Sequence, residues 1–255
     1  MLDHDRLSVL TVGCSWQCGS VSRTTLVTGV SRRQGIGFAI ARRLLREDGA
    51  RVFAHSFAPY DATEPWGADP DGIIGVLAAL GDEGERLAHL EADLVLNHAR
   101  SQLGALDELE AATLDLTWAV NVRASLLLVQ AFAEQYRPGP EGGRVVLFTS
   151  GQHLGPAPSE IPYAVTKGAL QQITRTLADA LAERGITVNC LNPGPTDTGW
   201  ATPDQEAFVA RHMPRGRWNA PDEAADVVAL LLAAEAATIT GQVVDAEGGF
   251  RRFTP

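Results

Sequence analysis

Two side chains four residues apart, Tyr163 and Lys167, are the pair in this chain best suited to moving a proton. On a helix that spacing sets both on one face, a turn apart. A phenol with a pKa near 10 is a poor base at neutral pH, and a neighbouring ammonium favours its phenolate. The same ammonium can donate to sugar hydroxyls. Lysine and arginine together number 21, and Lys167 is the one lysine among them, so the other 20 are arginine. A chain that otherwise uses arginine for every fixed positive charge points, at this position, to a task only an ammonium serves. Ser150 lies thirteen residues before Tyr163, just after the apolar run Arg144–Thr149. A hydroxyl at that strand end can hydrogen-bond a substrate carbonyl.

A second constellation is the glycine turn Thr28-Gly29-Val30-Ser31-Arg32-Arg33-Gln34-Gly35-Ile36-Gly37. It follows a predicted strand and opens a predicted helix. Glycines let a backbone approach a ligand closely, and a helix N-terminus offers unpaired N–H groups to a pyrophosphate. Gly29, Ser31, Arg32, Arg33, Gly35, Ile36 and Gly37 are therefore candidate dinucleotide contacts. An acidic residue after the second strand would hold the adenosine ribose and repel a 2′-phosphate. That strand ends in Phe53-Ala54-His55-Ser56, without a carboxylate, while Arg32 and Arg33 lie in the glycine turn. The expectation is NADP, with NAD as the alternative.

These groups must be carried by alternating strands and helices, the pattern of a doubly wound parallel sheet in one α/β domain, the Rossmann arrangement. Strands are predicted at Thr24–Thr28, Arg51–His55, Arg86–Leu90, Leu94–Asn97, Arg144–Thr149, Ile186–Leu191 and Gln242–Asp245. Helices are predicted at Ile36–Glu47, ended by Gly49, and at Asp71–Leu80, Leu109–Tyr136, Pro162–Arg184, ended by Gly185, and Pro221–Ala234. Residues 56–70 are predicted as an irregular loop. Residues 1–22 are expected to be an extension outside the fold, leaving 23–255 as the domain. Leu90 and Leu94 would belong to neighbouring parallel strands with only a few residues between them. A parallel crossover needs at least about 10–12 residues. Either one of those strands is absent, or a crossover helix is missing near 93–97.

The chain's 255 residues and 45% hydrophobic content suit one sizeable core. A formal net charge of −10 argues against a nucleic-acid or anionic-membrane partner. No uninterrupted apolar run approaches the ~18 residues of a membrane span. Asp3 and Asp5 stand where a secretory signal would carry positive charge, so a cytoplasmic location is expected. Three cysteines, Cys14, Cys18 and Cys190, form no disulfide framework, and Cys14 and Cys18 lack a second ligand pair for a metal. No metal is expected.

With these residues in this order the chain resembles the classical short-chain dehydrogenase/reductases, nearest to the 3-oxoacyl-[acyl-carrier-protein] reductase-like members. The resemblance runs from about Thr24 to Gly249. It is carried by the glycine turn, Asp93-Leu94, Leu96-Asn97-His98-Ala99, Asn121-Val122, Ser150, Tyr163/Lys167, Asn192-Pro193-Gly194, Ile239-Thr240-Gly241-Gln242 and Gly248-Gly249. It implies an NADP(H)-dependent interconversion of a ketone and a secondary alcohol, with a 3-oxoacyl thioester as one candidate substrate. Tyr163 would be the acid/base, and Lys167 would lower its pKa and bind the nicotinamide ribose. Ser150 would orient the carbonyl, and Asn121 would hold a water relaying protons to Lys167. Asp93, with Leu94, would contact the adenine, and Asn97 and Ala99 would line the cofactor strand. Pro193, Gly194, Thr196 and Thr198 would flank the nicotinamide, and residues 197–218 would form a mobile substrate loop. Trp200, Phe208, Met213 and Trp218 offer that loop either an apolar lid or, equally, a surface that packs against a neighbouring subunit. A homotetramer or homodimer packed through the 109–136 and 162–184 helices and the C-terminal strand is also implied.

Three departures from the family pattern stand out. Five residues separate Gly29 from Gly35, where the family has three. Asn97-His98-Ala99-Arg100 replaces Asn-Asn-Ala-Gly, and His98 is expected to be packed at a strand end rather than to act as a ligand. The Asp93–Asn97 interval is short where the family carries a helix. This last departure motivates the rival reading, a non-catalytic dinucleotide-binding or scaffold protein of the same fold.

Overall fold

The computed structural model describes residues 8–13, 24–47, 50–72, 92–139 and 141–253. Its centre is a sheet of parallel strands: β2 (Thr24–Thr28), β3 (Arg51–Ser56), β4 (Ala92–Leu96), β5 (Gly143–Phe148), β6 (Ile186–Asn192) and β7 (Val243–Asp245). The order across the sheet is β1-β3-β2-β4-β5-β6-β7, with β1 (Ser8–Gly13) antiparallel to β3 at one edge.

Alternate side chains of the parallel strands enter different cores, the mark of a sheet covered on both faces. On β5, Val146 and Phe148 join Val27, Ile40, Val52, Leu191 and Val228. Val145 and Leu147 join Leu26, Leu94, Phe132, Tyr136 and Leu181 on the other face. The first layer is covered by α1 (Ile36–Leu44) and α7 (Pro221–Leu232), the second by α4 (Ala124–Gln135) and α5 (Ile161–Leu181). Two further helices are α2 (Ala58–Asp61) and α6 (Pro203–His212). Gly185, at φ 68°, closes the turn after α5, as a left-handed terminal glycine should.

The predicted Leu109–Tyr136 helix is α3 (Ala111–Trp118) and α4, joined by one π-helical turn, Ala119–Arg123. The whole span Ala111–Gln135 has an 18-residue window of mean hydropathy 1.3, enough by length and composition to cross a membrane. One of its flanks, through Val129, Phe132 and Ala133, is buried in the second core layer.

Two expectations change. Residues 8–13 do not stand outside the fold, because Ser8 to Gly13 pair in register with Ser56 to Arg51. An outer strand presents unpaired N–H and C=O groups, and a β-branched segment such as Ser-Val-Leu-Thr-Val satisfies them. Nor does anything connect Asp93 to Asn97 as a crossover would: Asp93 and Leu94 are interior residues of β4 itself. The predicted strand Arg86–Leu90, most of the predicted helix Asp71–Leu80, Gly49, Cys14 and Cys18 lie outside the described residues.

Candidate active site

The carboxyl ends of β5 and β6 and the first turns of α5 bring together the proton-transfer residues. Pro162 stands in the first turn of α5, where a missing N–H costs nothing, and Tyr163 and Lys167 follow on one face. The Lys167 ammonium sits 5.5 Å from the Tyr163 ring centroid and donates to the Phe148 carbonyl at 2.9 Å. Lys167 is 2% exposed, and burial lowers its pKa to about 8. Taking an ammonium out of water costs several kcal/mol, so its position depends on the carbonyl and the ring face that receive it. Burial pushes the Tyr163 phenol above its ordinary range, with Glu160 and Tyr60 adding to the shift. Desolvation dominates that shift, and the ammonium is aimed at the carbonyl at the end of β5. Among the described residues neither the Ser150 hydroxyl nor the Tyr163 hydroxyl is hydrogen-bonded to protein, so both are available to a ligand.

Asn121 lies in the π-turn and is completely buried. Its amide donates to Arg100 O (3.0 Å) and Thr166 Oγ1 (2.9 Å), and its Oδ1 accepts from Arg100 N (2.7 Å). Both amide hydrogens are therefore committed, and the side chain clamps the loop after β4 to α5. The π-turn supplies the extra residue that tips Asn121 inward. His98 is the packed histidine expected: Nε2 meets the Val120 carbonyl (3.1 Å), which only accepts, so Nδ1 receives the Thr28 hydroxyl (2.8 Å). Burial, with Lys167 and His55 nearby, holds its pKa down to about 4.

The glycine turn is built by close backbone packing. Gly29 has φ 75°, and a Cβ there would lie 3.0 Å from Asn97 Nδ2 and the His98 backbone. A Cβ on Gly37 would run into the Gly29 carbonyl. Gly35 caps α1 and donates to Arg32 O (3.0 Å), leaving the first-turn N–H groups of α1 facing outward. Such a cradle fits a diphosphate. Ser31 accepts from Phe57 N at 3.2 Å and ties the turn to the exit of β3.

Beyond β3, residues 57–72 form a strap from the glycine turn to the loop after β4. The Tyr60 hydroxyl accepts from Ser101 N (2.9 Å), and Arg100 lies over the Tyr60 ring (5.4 Å). Trp66 Nε1 donates to the buried Asp61 carboxylate (3.0 Å), whose pKa burial raises. Arg33 forks onto Asp69 (3.0 and 2.7 Å) and also reaches Asp71. That guanidinium, expected to meet a phosphate, is neutralised by the strap. Asp93 and Leu94 are likewise removed from the cofactor side: both are about 1% exposed, and Asp93 pairs in register with buried Arg144 at the amino end of β5. An acid inside a strand cannot reach an adenine at the opposite edge.

Past β6, Asn192 accepts from Gly194 N (3.1 Å) and donates to Glu247 (2.7 Å) and Asp245 (2.8 Å). Glu247 is forked by Arg252, and that ion pair fills the space where a Cβ of Gly151 would stand, directly after Ser150. Neither Glu247 nor Arg252 is suggested by sequence; the local signal is the glycine pair Gly248-Gly249 beside them. Thr196 turns its hydroxyl to the Gly194 carbonyl (3.1 Å), and the Pro193 carbonyl accepts from Asn219 (2.9 Å), so this loop is held from within. The predicted mobile loop contains α6, started by Thr202, whose hydroxyl accepts from Gln205 N (3.3 Å) while Gln205 returns a bond to Thr202 N (2.9 Å). Trp200 and Trp218 meet edge to face at 5.6 Å, and with Asp204, Gln205, Phe208 and Val209 they line a cavity of about 310 Å³. Met213 is buried, at 3% exposed, and packs against Gly248.

The family model described as enoyl-(acyl carrier protein) reductase matches residues 78–251. The uncharacterized oxidoreductase YjdA of Bacillus subtilis (strain 168) is 35% identical over 91% of this chain and 98% of its own length. Among solved structures, the reductase LugOII, which catalyses keto-reduction in lugdunomycin biosynthesis, superposes with a TM-score of 0.71 at 32% identity, covering 90% of this chain and 97% of its own. BdcA in complex with NADPH superposes with a TM-score of 0.71 at 30% identity, over 90% and 95% of the two chains. A parallel sheet, a glycine cradle and a Tyr/Lys helix face, matched over this length, fix the kinship: the chain belongs to the classical short-chain dehydrogenase/reductase family, whose NAD(P)-dependent enzymes act on CH–OH groups.

Proposed function

We propose that this oxidoreductase reduces a ketone to a secondary alcohol with NADPH, using Tyr163 as the proton donor. The observation that carries the reading is the Tyr163–Lys167 pair on one helix face beside a Ser150 hydroxyl that no protein group occupies. Bound nicotinamide supplies the hydride. Ser150 and Tyr163 hydrogen-bond the carbonyl oxygen, and Tyr163 delivers its proton there as negative charge develops. The upward shift of the phenol keeps that proton in place through the neutral range. Lys167 holds the ribose and places a positive charge beside the phenol. Asn121 fixes the Asn97–Arg100 loop, so that Asn97 and Ala99 line the cofactor strand, and Pro193, Gly194, Thr196 and Thr198 flank the nicotinamide.

The preference for NADPH rests on Arg32 and on the lack of a carboxylate at the end of β3, since Arg33 is committed to Asp69 and Asp71. The bound NADPH of BdcA agrees with it. A 3-oxoacyl thioester is one candidate substrate. A flat, fused-ring ketone is the second, favoured by the Trp200/Trp218/Phe208 lining. Exposed Leu116, Trp118 and Leu127 along α3–α4 and Val165 on α5 form the face through which we expect a homodimer or homotetramer to pack.

Titration of NADPH fluorescence, followed by a ketone panel spanning an acetoacetyl thioester and a fused-ring aromatic ketone, tests the reading. NADPH binding and its oxidation by at least one ketone is the expected result. Binding without oxidation of any of them would overturn it.

A further inference from the structure

The insertion that lengthens the glycine turn reaches across the cleft to the start of the substrate loop. Arg32 Nη2 donates to the Thr198 carbonyl at 2.9 Å, a contact between residues 166 apart in sequence. Gln34 Oε1 lies within 3.5 Å of the same Arg32 nitrogen and against Gly199, which adopts φ 77°, so close that a Cβ there would overlap it. Asp197 completes the corner by accepting from Gly199 N at 3.0 Å. The substrate loop therefore departs from the nicotinamide side through a corner held by the glycine turn.

Arg32 and Arg33 are neighbours with opposite circumstances. Arg33 is neutralised by two carboxylates of the strap. Arg32, half-buried and with its guanidinium 5.7 Å from the Trp66 ring, makes no direct ion pair among the described residues; its hydrogen-bond acceptors are neutral oxygens, and Asp61 and Asp69 act on it only at longer range. A guanidinium has five donors in a planar fork, so one edge can remain on Thr198 while another meets an anion. The backbone of Arg32 is part of the diphosphate cradle, since its carbonyl accepts from the capping Gly35 N.

We propose that Arg32 is a positioning residue that ties cofactor occupancy to the seat of the substrate loop, by bridging a bound cofactor phosphate to the Thr198 carbonyl. This rests on the NADPH-dependent reading above. The bridge gives the bound cofactor a differential effect on the loop, which any ligand-driven shift requires. With the phosphate in place the fork is fixed at both ends and the corner Asp197–Gly199 is held. Without it the tie to Thr198 is a single bond to a neutral acceptor. The phosphate is recognised by charge and the loop by a backbone carbonyl, so a lysine in place of Arg32 retains the first and loses the planar two-ended geometry.

The experiment uses the full chain, NADPH and trypsin, which has cleavage sites at Arg211, Arg215 and Arg217 near the loop. In the unaltered protein, saturating NADPH should slow cleavage at these sites by about fivefold or more. Arg32→Ala and Arg32→Lys are each measured at NADPH saturating for that variant, so weaker cofactor binding does not enter. The expected result is loss of the protection in Arg32→Ala and most of it in Arg32→Lys. The ketone KM should rise about tenfold while kcat changes by less than about threefold. Equal protection in Arg32→Ala and the unaltered protein, an unchanged KM, or no protection in the unaltered protein would each overturn the inference. If the unaltered protein fails to bind NADPH or to oxidise it with any ketone, the function reading fails instead, and the two failures are told apart.

Discussion

The two halves of the cleft are built differently. On the β5–β6 side, Lys167 and Asn192 are held by hydrogen bonds, Tyr163 lies on a helix face against Lys167, and Ser150 lies just past the end of β5. On the β2–β3 side, the glycine cradle is regular, but the strap of residues 57–72 closes it through pairs on irregular backbone: Arg33 with Asp69 and Asp71, Tyr60 with Ser101, Trp66 with Asp61. An antiparallel strand, β1, finishes that edge of the sheet. The chemistry half tolerates little variation because proton transfer needs fixed distances. The adenosine half has only to bind, and many combinations of charge and stacking surface do that.

The largest effect should come from the chemistry half. Tyr163→Phe should lower kcat by about 10²–10⁴-fold, with NADPH affinity measured by fluorescence changed less than threefold; turnover near the parent value would remove the contrast. Next, Gly37→Ala sets a methyl against the Gly29 carbonyl. It should weaken NADPH binding by roughly thirtyfold or more by opening the cradle, and calorimetry showing parent affinity would mean the turn is looser than its packing indicates. The third test is pH. Burial lowers Lys167 to about 8, so its charge is present below that pH and lost above it, while the raised Tyr163 phenol stays protonated. For carbonyl reduction, kcat/KM should be flat below about pH 8 and fall by up to about tenfold per unit above it. A profile still flat at pH 9.5 would contradict this. The same shift has a stability counterpart: the folded protein gives up that proton at lower pH than the unfolded chain, so the cost of burying Lys167 is full below about pH 8 and is relieved as pH rises toward 10.5. The smallest effect belongs to the strap. Asp69→Asn with Asp71→Asn frees Arg33 and should raise the preference for NADPH over NADH about three- to tenfold. An unchanged ratio of the two kcat/KM values would show that Arg33 does not face the 2′-phosphate even when released.

The same division governs what could be read from sequence. Tyr163, Lys167 and Ser150 were legible because their relation is local: four residues on a helix, and a hydroxyl where a buried strand stops. The glycine turn was legible for the same reason. Asp93 was not, because Asp-Leu-Val-Leu suits both the end of one strand and the interior of the next, and periodicity cannot tell them apart. Arg33 looked like a phosphate ligand because its partners, Asp69 and Asp71, lie on irregular backbone whose course no periodic pattern predicts. The joining of residues 8–13 to the sheet depends on an open strand edge, which becomes visible only when strand order is known. The Lys167 effect on Tyr163 was a question of magnitude, since spacing gives proximity but burial decides which way the phenol shifts.

The Arg252–Glu247 pair beneath Gly151 has a consequence for how the enzyme is born. Ser150 leaves the ribosome long before Arg252, so the loop that carries the serine lacks its support while the intervening chain is being made. A nascent chain can seat its glycine turn yet have no finished catalytic centre until the Glu247–Arg252 segment docks. Arg252→Ala, which removes the partner of Glu247 beneath Gly151, should lower turnover while leaving the dinucleotide cradle intact.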